Sequence, residues 1–153
     1  MQQKNIVFIL RVALGWVFFY AGITKVLNPA WSAEAFLRGA KTFSDFYVSL
    51  TNYMPAINFV NKWSLTLLGI SLILGIFVRL SSVLGIALMA LYYFPVLNFP
   101  IANQNYYLVD HHVIFILVLL YFATIKAGRI NGMEKDITDS IYKKYPKLKD
   151  YLG

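Results

Sequence analysis

Residues 11–25 read RVALGWVFFYAGITK, an apolar stretch with a cation at each end and two glycines between them. Arg11, Gly15, Phe18, Gly22 and Lys25 are spaced by four, three, four and three residues, which places them on one face of a helix. Two glycines on that face allow a neighbouring helix or a flat ligand to approach the backbone closely. The two cations would lie about 21 Å apart, one near each end of a membrane-crossing helix.

The apolar run around this stretch has the length of a membrane span, which needs about 20 residues. We predict spans over 6–27, 63–78, 81–99 and 111–127. Short amphipathic helices are expected over about 31–52, on the membrane surface or capping the bundle. The predicted fold is therefore all-α: an integral membrane four-helix bundle over residues 1–130, followed by a basic cytoplasmic tail over 131–153.

The composition of the whole chain is typical of a bilayer protein. Its 153 residues are 59% hydrophobic and only 14% are charged, whereas soluble domains carry about 25% charged residues. The net charge of +7 lies at span ends and in the tail, so no nucleic-acid partner is expected. The absence of cysteine excludes an iron–sulfur cluster or a cysteine-bound zinc held by this chain alone.

The distribution of lysine and arginine predicts the orientation of the chain in the membrane. Lys4, Arg79, Lys126 and Arg129 would lie on one side, together with the lysines of the tail. The opposite side would hold fewer cations. By the positive-inside rule, we predict a multi-pass protein of the cell membrane with both termini in the cytoplasm. We interpret the N-terminal apolar segment as a first span rather than a cleaved signal, because Arg11 interrupts it.

The cations of the first span can be explained in two ways. An ionisable residue in lipid usually faces the bundle interior or a polar cavity, and we expect this of Arg11, which lies more than a turn inside the span. Snorkelling to the interface is the alternative, and for Lys25 it would suffice. We assign Arg11, Gly15, Gly22 and Arg79 to interior packing or polar contacts.

Residues 108–115 read LVDHHVIF and contain both histidines of the chain. Asp110 is predicted to cap the fourth span by accepting hydrogen bonds from its first N–H groups. Lys25 is expected at the same depth, so an Asp110–Lys25 ion pair is one interpretation. The sequence leaves open which of His111 and His112 faces inward.

Metal and haem chemistry is not expected at these histidines. His111 and His112 project about 100° apart on a helix, so they cannot ligate the two faces of one haem. Zinc would need carboxylates from elsewhere in the chain. One remaining role is hydrogen bonding or proton delivery to a ligand headgroup, of which a quinone carbonyl is an example. The alternative is that one histidine faces a neighbouring helix and the other faces water.

Three stretches together resemble the DoxX/DoxD family of membrane proteins. RVALGWVFFYAGITKVLNP resembles the family's opening span, with Arg11, Gly15, Gly22 and Lys25 at the matching positions. LLGISLILGIFVRLSS is similar to its second span. VDHHVIFILVLLYFATIKAGR is similar to its last span. The resemblance covers roughly residues 6 to 130, and residues 31–60 match poorly.

This resemblance implies a four-helix membrane subunit similar to the DoxD subunit of thiosulfate:quinone oxidoreductase. A quinone would then be the cofactor, a second protein would be the partner, and Lys25, Asp110, His111 and His112 would hold the headgroup. No catalytic residue is assigned, and a homo-oligomer stays open. Many family members carry an acidic residue near position 64 or 65, and this sequence has none. That difference favours the alternative, a non-enzymatic assembly factor or helper that binds a lipid or a membrane partner.

Overall fold

The structure is a computed structural model that describes residues 2–103 and 105–134. The helices are α1 (Gln2–Val26), α2 (Glu34–Arg38), α3 (Ser44–Leu50), α4 (Met54–Leu74), α5 (Val78–Val96) and α6 (His111–Thr124). Short 3₁₀ turns cover Thr51–Tyr53 and Ala127–Arg129, and a small hairpin pairs β1 (Ile101–Asn103) with β2 (Tyr106–Tyr107). The predicted all-α fold is confirmed. The small hairpin was not predicted.

Three helical stretches are long and apolar enough to cross a membrane: Gln2–Val26, Ser44–Leu74 and Val78–Val96. The fourth predicted span corresponds to α6, which has 14 residues. At 1.5 Å per residue this helix is about 21 Å long, less than the roughly 30 Å of a hydrocarbon core. The described part of the chain therefore has three helices of spanning length and one shorter apolar helix, and a fourth crossing stays a prediction.

The turn between the second and third spans lies earlier in the chain than predicted. The predicted spans 63–78 and 81–99 placed it between residues 78 and 81, but those residues form the first turn of α5. Helix α4 ends at Gly75, whose φ of +68° suits a residue without a Cβ. Phe77 also adopts a positive φ, of 52°, directly before α5. These two left-handed residues reverse the chain within residues 75–77.

Close backbone approach holds α1 against α4. A Cβ on Gly15 would come within 2.9 Å of Leu72 and Ile73. A Cβ on Gly22 would overlap the backbone of Thr66. Gly69 makes the reciprocal approach from α4. These glycines are therefore required by the α1–α4 contact.

The second packed pair is α5 with α6, and the two pairs meet in one apolar core. The rings of Phe18 on α1 and Phe115 on α6 are 5.4 Å apart in an edge-to-face arrangement. The buried core residues are Val7, Leu14, Phe18, Leu65, Leu68, Leu72, Val78, Met89, Leu119, Phe122 and Ala127. Because α4 packs chiefly on α1 and α5 chiefly on α6, a cleft separates α4 from α5 along the membrane segment.

The two short helices predicted over 31–52 are present as α2 and α3. They form a second small core around Leu37, Ala40 and Tyr47. The backbone N–H of Lys41 donates to the Pro95 carbonyl, which fixes this layer to the end of α5. The layer therefore covers one end of the bundle.

Candidate functional site

The predicted ligand residues meet at one end of the bundle, called here the histidine end. It is formed by the last turn of α1 with Lys25, the first half of α4 with Asn61, the last turns of α5 with Tyr92, and the start of α6. Antiparallel packing of α1 on α4 and of α5 on α6 brings these helix ends together. The structure thus gathers residues that are far apart in the sequence.

Asp110 caps α6, as the sequence predicted. Its side chain is almost completely buried, at 1% exposure. Its Oδ1 accepts hydrogen bonds from the backbone N–H groups of His112 (2.9 Å) and Val113 (3.3 Å). A carboxylate at this position also interacts favourably with the positive end of the helix dipole. Capping therefore explains the burial of Asp110 without reference to a ligand.

The two histidines occupy different environments. The Nδ1 of His112 is 2.6 Å from Asp110 Oδ2, and its side chain is 13% exposed. The side chain of His111 is 50% exposed, and its Nδ1 is 4.0 Å from the same oxygen. His112 therefore faces the bundle, with its ring 6.1 Å from the ring of Tyr92, whereas His111 faces outward.

Asp110, His111 and His112 each offer one ligand atom, and these atoms lie within 4.8 Å of one another. An ion bound there would compete for the Asp110 oxygens with two backbone N–H groups and the His112 imidazole. The cluster is fully explained as a helix cap with an attached imidazole. The prediction that the chain binds no metal stays a prediction.

Lys25 does not pair with Asp110 in the described part of the chain, so the suggested ion pair is wrong. Its Nζ lies 3.4 Å from Asn61 Oδ1 and sits 5.0 Å from the ring centre of Trp31 and 5.7 Å from that of Tyr92. Both groups already have other partners. The Asp110 carboxylate accepts hydrogen bonds from the start of α6, and the Lys25 ammonium lies against two aromatic rings.

Asn61 and Tyr92 also lie at the histidine end, and neither was among the predicted ligand residues. They line a cavity of about 110 Å³ beneath α2 and α3, together with Ala33, Leu37, Tyr47 and Leu88. The Tyr92 hydroxyl is buried beside the Asn61 side chain, and the two groups interact without meeting the geometry of a full hydrogen bond. Lys25 and His112 do not line this cavity; they lie behind Asn61 and Tyr92.

The prediction missed Asn61 because the second span was expected to begin at Trp63. Helix α4 begins at Met54, with Pro55 in its first turn, where a missing N–H costs nothing. The signal in the sequence was the spacing of Asn58 and Asn61, three residues apart on one helical face. The Asn58 side chain accepts a hydrogen bond from the Ala33 N–H at 2.9 Å.

The opposite end of the bundle is organised by Arg11, which is fully buried. Its guanidinium donates to the carbonyls of Ala127 (2.6 Å), Ile130 (3.2 Å) and Asn131 (3.1 Å), all in the segment after α6. It also packs directly on Gly75 at the end of α4. The interior position predicted for Arg11 is what the structure shows, and its partners are backbone carbonyls.

Glu134 completes this end, which we call the arginine end. Its side chain is buried, fills the space above Gly128 and accepts a hydrogen bond from the Val78 N–H at 3.2 Å. Burial raises the pKa of the Glu134 carboxyl, while the Val78 N–H and nearby arginines lower it in part. Arg79 lies half-buried in the first turn of α5. The tail beyond Glu134 lies outside the described residues.

The long apolar helices, the apolar core between them and the buried cation at one end define an integral, multi-pass membrane protein. The sequence model of the DoxX family matches residues 6–97, which is more than half of the chain, and the chain belongs to this family. Comparisons with curated proteins and with solved structures gave no match. The specific likeness to DoxD stays a prediction. The matched range ends before Asp110, so the histidine cluster rests on the structure alone.

Proposed function

We propose that the protein binds a quinone headgroup at the histidine end and serves as the quinone-interacting subunit of a membrane oxidoreductase, such as a thiosulfate:quinone oxidoreductase. The observation that carries this proposal is the Tyr92 hydroxyl. It is a buried donor next to a residue-lined cavity, and its contact with the Asn61 side chain falls short of a full hydrogen bond. A buried polar group without a hydrogen bond costs about 1–3 kcal/mol, and a ligand carbonyl at this point would remove the cost.

The residues around the cavity fit a neutral, flat headgroup with carbonyl oxygens. Asn61 and Tyr92 line its wall, with the Tyr92 hydroxyl buried behind that wall, and Leu37 and Leu88 supply apolar surface. Lys25 adds positive charge behind Asn61, at a distance of 3.4 Å from its Oδ1. A bound quinone would supply the two-electron chemistry, with electrons delivered by a partner protein.

His112 is placed to handle a proton next to Tyr92. Because Asp110 is a carboxylate acceptor, the hydrogen bond at 2.6 Å assigns the proton of the neutral imidazole to Nδ1 and leaves Nε2 as the acceptor. The negative charge of Asp110 would stabilise the imidazolium after a proton arrives. His111, at 50% exposure, would connect this pair with the surroundings of the protein.

The second candidate is a non-enzymatic helper that assembles or stabilises a membrane partner. The contacts of Lys25 favour this candidate, because they explain the residue as a link between helices without any ligand. The ammonium joins α1 to Trp31, which precedes α2, and to α4 through Asn61. In this alternative the histidine end only closes the bundle.

The experiment that separates the two is extraction of small molecules from the protein purified in mild detergent, followed by mass spectrometry. We expect near-stoichiometric quinone in the wild type. Tyr92→Phe removes one hydrogen bond and should weaken quinone binding by up to about tenfold. The matched control is Tyr20→Phe, at an exposed position on α1, which should retain the quinone.

A second variant tests the histidine pair. Asp110→Asn retains a side-chain oxygen for the helix cap but removes the negative charge beside His112. We expect it to fold, to bind quinone and to slow quinone reduction by the natural partner. Phospholipid alone in the extract of a well-folded wild type would contradict the proposal and support the helper function.

A further inference from the structure

A large cleft lies between α4 and α5. Its volume is about 640 Å³, and it runs from Ser64 to Leu74 on α4. This stretch is about 15 Å long at 1.5 Å per residue, or half of a hydrocarbon core of about 30 Å. The cleft exists because each of the two helices packs on a different neighbour.

The walls of the cleft offer no free polar group at its base. The Ser71 hydroxyl donates to the Ile76 carbonyl at 2.6 Å and lies 2.7 Å from the Ser81 hydroxyl. Ser81 in turn donates to the Val78 carbonyl at 3.1 Å. The rest of the wall is mainly leucine and isoleucine. The occupant of this cleft must therefore be apolar.

The cleft adjoins the cavity at the histidine end, because Leu88 and Leu91 line both. The smaller cavity, at about 110 Å³, falls below the roughly 300–1,000 Å³ that ligand pockets occupy. Together the two cavities reach that range. A ligand with its polar end at Tyr92 would therefore extend past Leu88 and Leu91 into the cleft.

We infer that the cleft holds the hydrocarbon chain of the quinone whose ring lies at Tyr92 and Asn61. The inference rests on the proposed function and narrows it to quinones with a long alkyl or isoprenoid chain. A transmembrane helix of a partner is a poorer fit. A helix inserted in the cleft would have to keep its axis about 8–10 Å from the axes of both α4 and α5. The three residues 75–77 that connect α4 to α5 leave no room for this at the closed end of the cleft.

The test uses a benzoquinone whose long alkyl chain ends in a photoreactive diazirine, added to the full-length protein in nanodiscs. Crosslinks located by peptide mass spectrometry should fall within residues 64–91. Ala87→Trp fills the cleft from an exposed position and should weaken binding of this probe about tenfold. Binding of the same ring without a chain should be unchanged. Leu84→Trp, also exposed in the cleft, provides a second block should the first variant misfold.

The matched control is Ala13→Trp, which places the same bulk at an exposed position of α1 away from the cleft. It should bind both probes as the wild type does. If the ring still binds but the crosslinks fall elsewhere, the cleft does not hold the hydrocarbon chain. The same conclusion follows if both cleft variants bind the long probe as the wild type does. Either result would leave the proposed function standing. Equal labelling of the cleft by a phospholipid with the same diazirine would also overturn it. If neither the long-chain probe nor the ring without a chain binds the wild type, the proposed function and the inference are refuted together.

Discussion

Pro95 in α5 leaves one carbonyl without its helical partner, and a distant tyrosine supplies the missing donor. In a regular helix the Leu91 carbonyl would accept a hydrogen bond from the N–H of residue 95, which proline lacks. The hydroxyl of Tyr47, on surface helix α3, donates to this carbonyl at 3.1 Å. Tyr47 is itself buried, at 3% exposure. The Tyr47–Leu91 bond therefore links the end of α5 to the covering layer, in addition to the bond between Lys41 and Pro95.

This arrangement predicts that Tyr47 and Pro95 are energetically coupled. Tyr47→Phe keeps the ring but leaves the Leu91 carbonyl unsatisfied, so we expect a loss of about 1–2 kcal/mol in the free energy of unfolding. Pro95→Ala restores an N–H that can reach Leu91. In that background, Tyr47→Phe should cost less than about 0.5 kcal/mol, because the carbonyl already has a donor.

The assay is a double-mutant cycle on the purified protein, with unfolding by denaturing detergent followed through tryptophan fluorescence. The coupling energy should be about 1 kcal/mol. Tyr53→Phe, at an exposed position near the same layer, is the control and should change nothing. An equal cost of Tyr47→Phe in both backgrounds would show that the hydroxyl does not compensate for the proline, and would refute the reasoning.

Two further predictions concern the bundle itself and use the same unfolding assay. Arg11→Met should lower the free energy of unfolding by about 3 kcal/mol or more, because three carbonyls lose their donor; Lys4→Met, exposed on the same helix, should be neutral. Gly69→Ala should cost about 1–3 kcal/mol, because its Cβ would overlap the Phe19 backbone, whereas Gly39→Ala is exposed and should cost little; equal costs would contradict the close α1–α4 contact.

Much of the helical framework could be predicted because it depends on local patterns. Asp110 before a long apolar run indicated a helix start, and the structure shows that cap. The start of α4 could not be found from hydropathy, since Asn58, Asn61 and Lys62 interrupt the apolar pattern although the helix continues through them. Hydropathy does not register tertiary partners: Asn58 accepts from Ala33, Asn61 from Lys25, and Lys62 donates to the Asn28 carbonyl.

The contacts that define the site depend on tertiary neighbours and were therefore harder to predict. Lys25 was expected beside the start of α6, but the choice between Asp110 and Asn61 as its partner depended on which side chains were already engaged. Tyr92 was one aromatic residue among many, and only the packing of α5 under α2 and α3 singles it out. The incomplete hydrogen bonding of its hydroxyl has no sequence signature.

The bonds of Arg11 also connect the fold to the order in which the chain is made. The guanidinium enters with the first helix, whereas its three acceptor carbonyls follow 116, 119 and 120 residues later. Until the ribosome has delivered that segment, the charge has none of these partners and is costly to draw into lipid. In a nascent chain that stops before Ala127, the Arg11 guanidinium thus lacks these three carbonyl acceptors. Burial of Arg11 becomes favourable only once the 3₁₀ turn after α6 has been made.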